Sequence, residues 1–165
     1  MSRADLDKPV PGADPGRVQP EGGYGPGMYI DPSDEAVLRF LERGVEGSFT
    51  MLNLLRFREV ADYSSFPHLA PAEPISGHDA YDQYVRHTLP FLTTSGGSIE
   101  FFGTGGHNVV GPPKERWDLV MLIRQASVES FLAFASNEDY LEGTGHRTAA
   151  LEDSRLLPIV DRPLP

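Results

Sequence analysis

The chain has 165 residues, enough for one domain but not for two full ones, and 39% of them are apolar, which suffices for a single core. Its 14 Lys and Arg residues stand against 24 Asp and Glu, and the net charge of -10 repels nucleic acid and anionic lipid. Because the sequence contains no cysteine, disulfides, thiolate zinc sites and a cysteine nucleophile are excluded.

The first 27 residues are predicted to form a flexible tail. They hold five prolines and six glycines with almost no large apolar side chain, so folding alone would not offset the entropy that they lose. The N-terminus lacks the apolar stretch of a signal peptide, and no later segment reaches the roughly 20 apolar residues needed to span a membrane. We therefore expect a cytoplasmic protein that binds neither membrane nor nucleic acid.

A short helical arm is predicted next, over residues 28–47. Residues 31–35 supply capping residues, and apolar side chains then recur at helical spacing as far as Gly44. The segment FTMLNLLRF at 49–57 follows. It is apolar on both alternating faces, which is typical of a strand that is buried on both sides.

The middle of the chain alternates helix and strand signals. The connection at 58–77 is too long for a routine turn and is a candidate lid or dimer-contacting loop. A helical stripe at 78–92 contains Pro90, which we expect to kink or end it. Two strands at 98–110 and 117–124 then read as a hairpin around Gly111-Pro112-Pro113.

The last third predicts a second helical region and a final strand. Ser127 caps one helix, residues 137–153 read as a further helical piece interrupted by two glycines, and residues 155–160 form a short apolar strand. From residue 48 onward the order is β, α, β, β, α, β, which predicts an α+β, ferredoxin-like domain over 48–165 with both helices on one face of an antiparallel sheet. The other face needs cover, and a second copy of the chain is the economical solution. The arm and the tail are the alternative.

Several segments occur in the order and spacing of one known family. They are MLNLLRFR at 51–58, GHDAYDQY at 77–84, Gly96-Gly97, GPPKERWDLV at 111–120, Ser127 with Phe131, and HRTAALEDSRL at 146–156. Together they resemble the DUF1330 family over roughly residues 48–160, with Gln125-Ala126 where that family usually has Tyr-Pro. The resemblance implies a dimeric α/β barrel, in which two ferredoxin-like sheets pack face to face. Relatives of the family include EthD-like proteins, NIPSNAP-like proteins and small cofactor-independent monooxygenases, but the family itself has no established activity and assigns no catalytic residue.

Polar side chains inside apolar elements are the candidates for substrate binding. Asn53 alternates with apolar neighbours in its strand, so its amide is expected in a buried layer, as a ligand contact or as a hydrogen-bonded structural group. The substrate-binding candidates are Asn53, Arg56, Tyr81, Tyr84, Trp117 and Arg147. For Arg56 the alternative is a salt bridge or a dimer contact, and for the three aromatic residues it is core packing.

The candidates for general acid or base catalysis are two histidines, because imidazole titrates near neutral pH. His107 follows a glycine-rich bend where a ligand could approach the backbone, and His146 precedes Arg147 on the last predicted helix. Surface or capping histidines are the alternative interpretation. The five histidines show no metal-binding spacing, and the glycine runs fit no phosphate-binding loop, so we expect neither metal nor cofactor.

Two hypotheses for function follow. In the first, the chain is a homodimer that binds or transforms a small, partly apolar molecule in a cleft between sheet and helices, as a cofactor-independent enzyme of monooxygenase or isomerase type. In the second, it is a non-catalytic binding or assembly homodimer. A pocket with convergent polar groups would favour the first, and a filled interior the second.

Overall fold

The computed structural model describes residues 28–165, and the predicted tail at 1–27 lies outside them. The helices are α1 (Asp34–Glu42), α2 (Gly77–Thr94), α3 (Val128–Ala135), α4 (Glu138–Glu142) and α5 (Thr144–Ala150). The strands are β1 (Phe49–Phe57), β2 (Ser98–Thr104), β3 (Leu119–Gln125) and β4 (Leu151–Ile159). A short 3₁₀ turn, Pro67–Leu69, interrupts the long connection between β1 and α2.

The four strands form one antiparallel sheet in the order β2-β3-β1-β4. β1 is a central strand, which pairs with β3 on one side and with β4 on the other. This order and the helix placement give the predicted ferredoxin-like α+β architecture. The predicted hairpin is also confirmed, because β2 pairs with β3.

The core lies between the sheet and the helices. Phe49, Met51, Leu55 and Phe57 of β1 are all buried and pack in one cluster with Tyr81 of α2 and with the residues around the junction of α5 and β4. They are alternate residues of one strand, so they mark one face of the sheet, which we call the helix-covered face. α1 joins the same layer, since the Phe40 ring lies 5.4 Å from that of Phe49.

The opposite face of the sheet, which we call the open face, carries a second set of apolar side chains. The antiparallel register places Leu52 opposite Leu122 and Leu157, and Leu54 opposite Val120 and Arg155. Leu157 is 52% exposed, and Leu52 and Leu54 are only half-buried. α1 packs on the other side, so the helix of the arm does not cover this face, and of the arm only Tyr29 reaches it, with its ring 5.0 Å from the Arg155 guanidinium.

Three predicted boundaries differ from the structure. β2 ends at Thr104 instead of residue 110, because beyond it only an isolated bridge joins His107 to Arg116. The helical piece expected at 137–153 is two short helices, and β4 begins at Leu151 instead of residue 155. Strand pairing explains why β4 begins earlier than predicted. The apolar run at 149–151 fits either a helix or a strand by pattern, and pairing of Leu151 with Phe57 decides it.

Pro90 lies inside α2 and does not end the helix. α2 runs from Gly77 to Thr94 with Pro90 in its last two turns. Its N-terminus is fixed by Ser76, whose hydroxyl accepts a hydrogen bond from the Asp79 amide at 3.0 Å. Among the helices of residues 28–165, none is both long enough and apolar enough to cross a bilayer.

Candidate functional site

Three tyrosines meet where α2 packs against α4, and we call Tyr81, Tyr84 and Tyr140 the tyrosine cluster. Tyr81 and Tyr84 are three residues apart on α2 and share one side of it, with ring centroids 5.3 Å apart. Tyr140 is carried on α4, where the Asn137 side chain caps the helix by accepting a hydrogen bond from the Tyr140 amide. The Tyr84 and Tyr140 hydroxyls lie 3.0 Å apart and share a hydrogen bond.

The Tyr81 side chain is buried, with 2% of its surface exposed. Within residues 28–165 its hydroxyl is not among the buried side-chain atoms that lack a hydrogen-bond partner. Burial raises the pKa of Tyr81, the neighbouring Tyr84 adds to the rise, and the positive charge of Arg147 opposes it. Burial likewise raises the pKa of Tyr140. Both phenols therefore stay protonated at neutral pH and can donate hydrogen bonds.

Arg147 provides the positive charge of this region. It lies on α5, its side chain is 16% exposed, and its charge is felt at the hydroxyls of both Tyr81 and Tyr140. Its Nη1 donates to the backbone oxygen of Ile30 at 2.7 Å and lies 3.6 Å from an Asp31 carboxylate oxygen. Its Nη2 donates to the Ser154 hydroxyl at 3.3 Å, so both terminal nitrogens of the guanidinium are engaged within the chain.

His146, the neighbour of Arg147, is paired with a tyrosine of the long loop. The Tyr63 hydroxyl and His146 Nδ1 lie 2.7 Å apart, and the two rings meet edge to face. Burial lowers the pKa of His146, and the nearby His87 lowers it further. His146 is therefore neutral at physiological pH, with one ring nitrogen already engaged.

Asn53 lies on the helix-covered face of the central strand, as its alternation with buried neighbours predicts. Its Nδ2 donates to the backbone oxygen of Met51 at 3.1 Å, and its amide oxygen has no partner in the described part of the chain. It is only half-buried, and Leu156, directly opposite on β4, is 44% exposed. The helices therefore leave this stretch of the face incompletely covered.

The remaining candidates lie outside this region. Arg56 Nε lies 3.0 Å from a Glu152 carboxylate oxygen, in agreement with the salt-bridge alternative. Trp117 is buried under Arg155, whose guanidinium lies 5.1 Å from the centre of the indole. His107 is exposed in the hairpin connection. In residues 28–165 no hydrogen bond or ring contact joins it to His146 or to the tyrosine cluster.

The structure thus brings Tyr81 and Tyr84 into contact and pairs His146, the neighbour of Arg147, with a tyrosine of the long loop, whereas His107 lies apart. It adds two residues that the sequence did not indicate, Tyr63 and Tyr140. Tyr140 follows the cap residue Asn137, so a helix start was readable there. Nothing in the spacing, however, relates α4 to α2, because the two are separated by two strands and another helix.

Two surface hollows are present, and neither is lined by the tyrosine cluster. A hollow of about 330 Å³ along the open face and β4 is lined by Leu52, Leu54, Arg155, Leu156 and Leu157. A second, of about 290 Å³, lies along the long loop and includes Tyr63. In the described residues, no group of three or more histidine or acidic side chains is arranged to hold a metal ion.

Comparison with known proteins identifies relatives among solved structures. The chain is similar to the methylated RPA0582 protein, with 34% identity and a TM-score of 0.72 over 84% of this chain and 96% of that one. A second structure, RPA0582 from Rhodopseudomonas palustris, a protein of unknown function, gives 33% identity and a TM-score of 0.70 over 84% and 98%. No family model and no curated protein matches the chain, so the DUF1330 resemblance stays a prediction. At this identity and coverage, the chain belongs to the family of RPA0582.

Proposed function

We propose that this chain is a cytoplasmic homodimer of the DUF1330 type that binds a small, partly apolar molecule between the sheet and the helices. The observation that carries the ligand site is the tyrosine cluster itself, in which the rings of Tyr81 and Tyr84 lie 5.3 Å apart and the hydroxyls of Tyr84 and Tyr140 share a hydrogen bond. Burial raises the pKa of Tyr81, so its phenol stays protonated at neutral pH and can donate a hydrogen bond to a ligand.

The incomplete cover over Asn53 offers a second place on the helix-covered face where a ligand could bind. A residue in the middle of the central strand, on the face that carries the core, is normally inaccessible. Asn53 is half-buried instead, and its amide oxygen is free to accept a hydrogen bond. A molecule over Asn53 and Leu156 would contact one polar and one apolar side chain on adjacent strands.

The ligand site is tested by a thermal-shift screen of small metabolites on the wild type and on Tyr81→Phe. We expect at least one compound to raise the Tm of the wild type and to lose most of this effect in Tyr81→Phe. Tyr29→Phe is the matched control, because that tyrosine is 60% exposed and lies away from the cluster. Equal responses of all three proteins to every hit would refute the assignment, as would a screen without hits.

The homodimer is supported by the open face of the sheet. Leu52, Leu54, Leu122 and Leu157 form an apolar surface that nothing in residues 28–165 covers, and such a surface is typical of an interface. If two copies pack sheet against sheet, as in a dimeric α/β barrel, each covers the open face of the other. The contact is then self-complementary, as two-fold symmetry requires.

Light scattering on the purified chain tests the dimer. The wild type should have twice the mass of one chain, and Leu54→Glu, which places a charge in the centre of the open face, should be a folded monomer. Leu38→Glu on α1 changes an exposed leucine away from this face and should remain dimeric. If the wild type is a monomer at micromolar concentration, the dimer proposal is wrong, whatever the two variants show.

One observation favours the second candidate, a homodimer without a ligand. Several polar groups of the site already have partners within the chain, since Tyr84 pairs with Tyr140 and Tyr63 with His146. A dimer that gives no hits in the screen would establish this alternative. For catalysis, we propose His146 as the acid-base group, because burial lowers its pKa and its ring is held by the Tyr63 hydroxyl.

A further inference from the structure

We infer that the tip of the connection between β2 and β3 inserts, in the homodimer, into the hollow along the long loop of the partner copy. The valine tip comprises residues 107–116 and is closed by the bridge between His107 and Arg116, and the loop hollow is the one of about 290 Å³. The inference rests on the proposed homodimer, because it names a second contact between the same two copies. It depends on the exposure of the tip, on its charge and on its place in the fold.

Two neighbouring valines of the tip are exposed to solvent. Val109 is 102% exposed and Val110 is 92% exposed, and among the large apolar side chains of residues 28–165 only Leu164, near the C-terminus, is comparable. Valine is favoured in strands, whereas glycine, proline, asparagine and aspartate dominate turns. An apolar pair displayed at a turn is therefore typical of a contact with another protein surface.

Hydrogen bonds within the tip hold the valines in one arrangement. Asn108 Nδ2 donates to a Glu115 carboxylate oxygen at 2.7 Å, and the Glu115 amide donates to the backbone oxygen of Pro112 at 3.0 Å. Pro112 and Pro113 restrict the backbone further, because the proline ring sets φ. Insertion of a preorganised tip costs less conformational entropy than insertion of a segment that must first become ordered.

The loop hollow combines an apolar surface with a negative charge that matches the tip. Its lining includes Val60, Ala61, Pro71, Pro74 and Ile75 together with Glu73. Glu73 is exposed and forms no ion pair within residues 28–165, and the same is true of Lys114 on the tip. Entry of the valines into the hollow brings this lysine to this glutamate, so the contact is complementary in polarity and in charge.

Two-fold symmetry places the tip of one copy beside the loop of the other. β1 ends at Phe57, where the long loop begins, and the parallel strand β2 ends at Thr104, so loop and tip leave the sheet at the same end. The loop lies on the β4 side of the sheet, where the Asp62 amide donates to the backbone oxygen of Ala149. A half-turn about an axis parallel to the strands, between two facing sheets, sets β2 of one copy over β4 of the other at that same end.

The tip is long enough to cross the gap between two facing sheets. Residues 105–110 connect the end of β2 to the valines and span up to about 20 Å when extended. Packed sheets are about 10 Å apart, so the tip can pass the edge of the partner's sheet and reach its loop. Because the symmetry is two-fold, each dimer contains this contact twice.

The dissociation constant of the dimer, measured by sedimentation over a concentration series, tests the role of the valines. The double variant Val109→Ser/Val110→Ser breaks no contact within the chain, since both side chains are in solvent there. We expect the dimer to be at least about tenfold weaker, because two valines lose their burial in each of the two contacts. Leu164→Ser is the matched control, because that leucine is 94% exposed and lies outside the tip, and it should keep the wild-type constant.

An exchange of charges tests which surface the tip enters. Lys114→Glu brings two carboxylates together and Glu73→Lys brings two lysines together, so each should weaken the dimer several-fold. The double variant Lys114→Glu/Glu73→Lys restores opposite charges at the wild-type net charge and should recover most of the affinity. Glu46→Lys is the control, because it makes the same change on an exposed residue just before β1, at the other end of the sheet, and it should not weaken the dimer.

The results separate this inference from the homodimer on which it rests. If Val109→Ser/Val110→Ser keeps the wild-type dissociation constant, the inference is wrong. It is also wrong if the double charge variant dimerises no more tightly than the two single ones. In either case Leu54→Glu still tests a dimer formed through the open face alone. A monomeric wild type would disprove the homodimer itself, and this inference with it.

Discussion

The Tyr63 hydroxyl lies 2.7 Å from Nδ1 of His146, and this hydrogen bond ties the long loop between β1 and α2 to α5. The two residues are 83 positions apart, so the contact belongs to the tertiary structure alone. It places the loop against α5. The role expected for this loop, as a lid or a dimer contact, stays a prediction. It is, however, anchored at this point.

The first prediction concerns the pH dependence of stability. Burial and the nearby His87 lower the pKa of His146 from 6.5 in the folded protein. As the pH falls through 6.5, the unfolded chain takes up a proton before the folded one does, so the free energy of unfolding decreases until the folded pKa is passed. Urea unfolding between about pH 8 and pH 5 should show this loss, and His146→Gln should reduce it. The exposed His68 is the control, and His68→Gln should retain the wild-type slope.

The second prediction contrasts two tyrosines of the cluster. Tyr81→Phe breaks no hydrogen bond seen within residues 28–165, and its hydroxyl is not a buried atom that lacks a partner, so the stability of the ligand-free protein should change by less than about 0.5 kcal/mol. Tyr84→Phe instead leaves the Tyr140 hydroxyl without its hydrogen bond and should lose about 1 kcal/mol. Urea denaturation measures both. A loss of stability in Tyr81→Phe would show that its hydroxyl is satisfied in the folded protein.

The third prediction concerns the junction where β1, α2 and α5 meet. A Cβ on Gly77 would lie 2.5 Å from the backbone oxygens of Arg58 and Ala150, which cannot move without breaking the hydrogen bonds that join these segments. Gly77→Ala should therefore cost about 1 to 3 kcal/mol, the range for overpacking a core. Gly106→Ala meets nothing within 4 Å and should leave the thermal midpoint nearly unchanged. Similar midpoints for the two variants would contradict the packing at Gly77.

The fourth prediction tests how the start of the arm is held. The Ser154 hydroxyl donates to the backbone oxygen of Tyr29 at 2.8 Å, and the Ser154 amide donates to the same oxygen at 2.7 Å. Ser154→Ala removes the first bond and should lower stability by about 1 kcal/mol. Hydrogen exchange of the Tyr29 amide, which donates to the Asp153 carboxylate, should also become faster. The exposed Ser65→Ala is the control. Unchanged exchange in Ser154→Ala would mean that the other contacts hold the arm unaided.

Much of the fold was predictable from local pattern. The apolar strand at 49–57 and the helix caps at Ser76 and Ser127 are signals of a few adjacent residues, and the structure has elements at those places. The end of β2 and the start of β4 were predicted wrongly. There the pattern is compatible with two structures, and pairing with a distant strand selects one of them.

The candidate site was only partly predictable. Tyr81 and Tyr84 share a helix, and His146 and Arg147 are adjacent, so each pair was visible in the sequence. Tyr63 and Tyr140 were not, because each reaches the site through a contact between elements far apart along the chain. His107 is the opposite case. Its position beside glycines suggested a ligand site in the sequence, but in the structure it lies on an exposed hairpin connection.

The sequence by itself determined that the chain is acidic and has no cysteine. It also determined the βαββαβ order of the elements, with strands that are apolar on both faces. These follow from side-chain chemistry and from periodicities of two and 3.6 residues, which are local. Only the tertiary structure decided that α1 packs on the helix-covered face, that the open face is left bare by residues 28–165, and that the buried Tyr81 lies within range of Arg147. Such relations depend on which distant elements bury each other, and the periodicity of one segment carries no information about its partner.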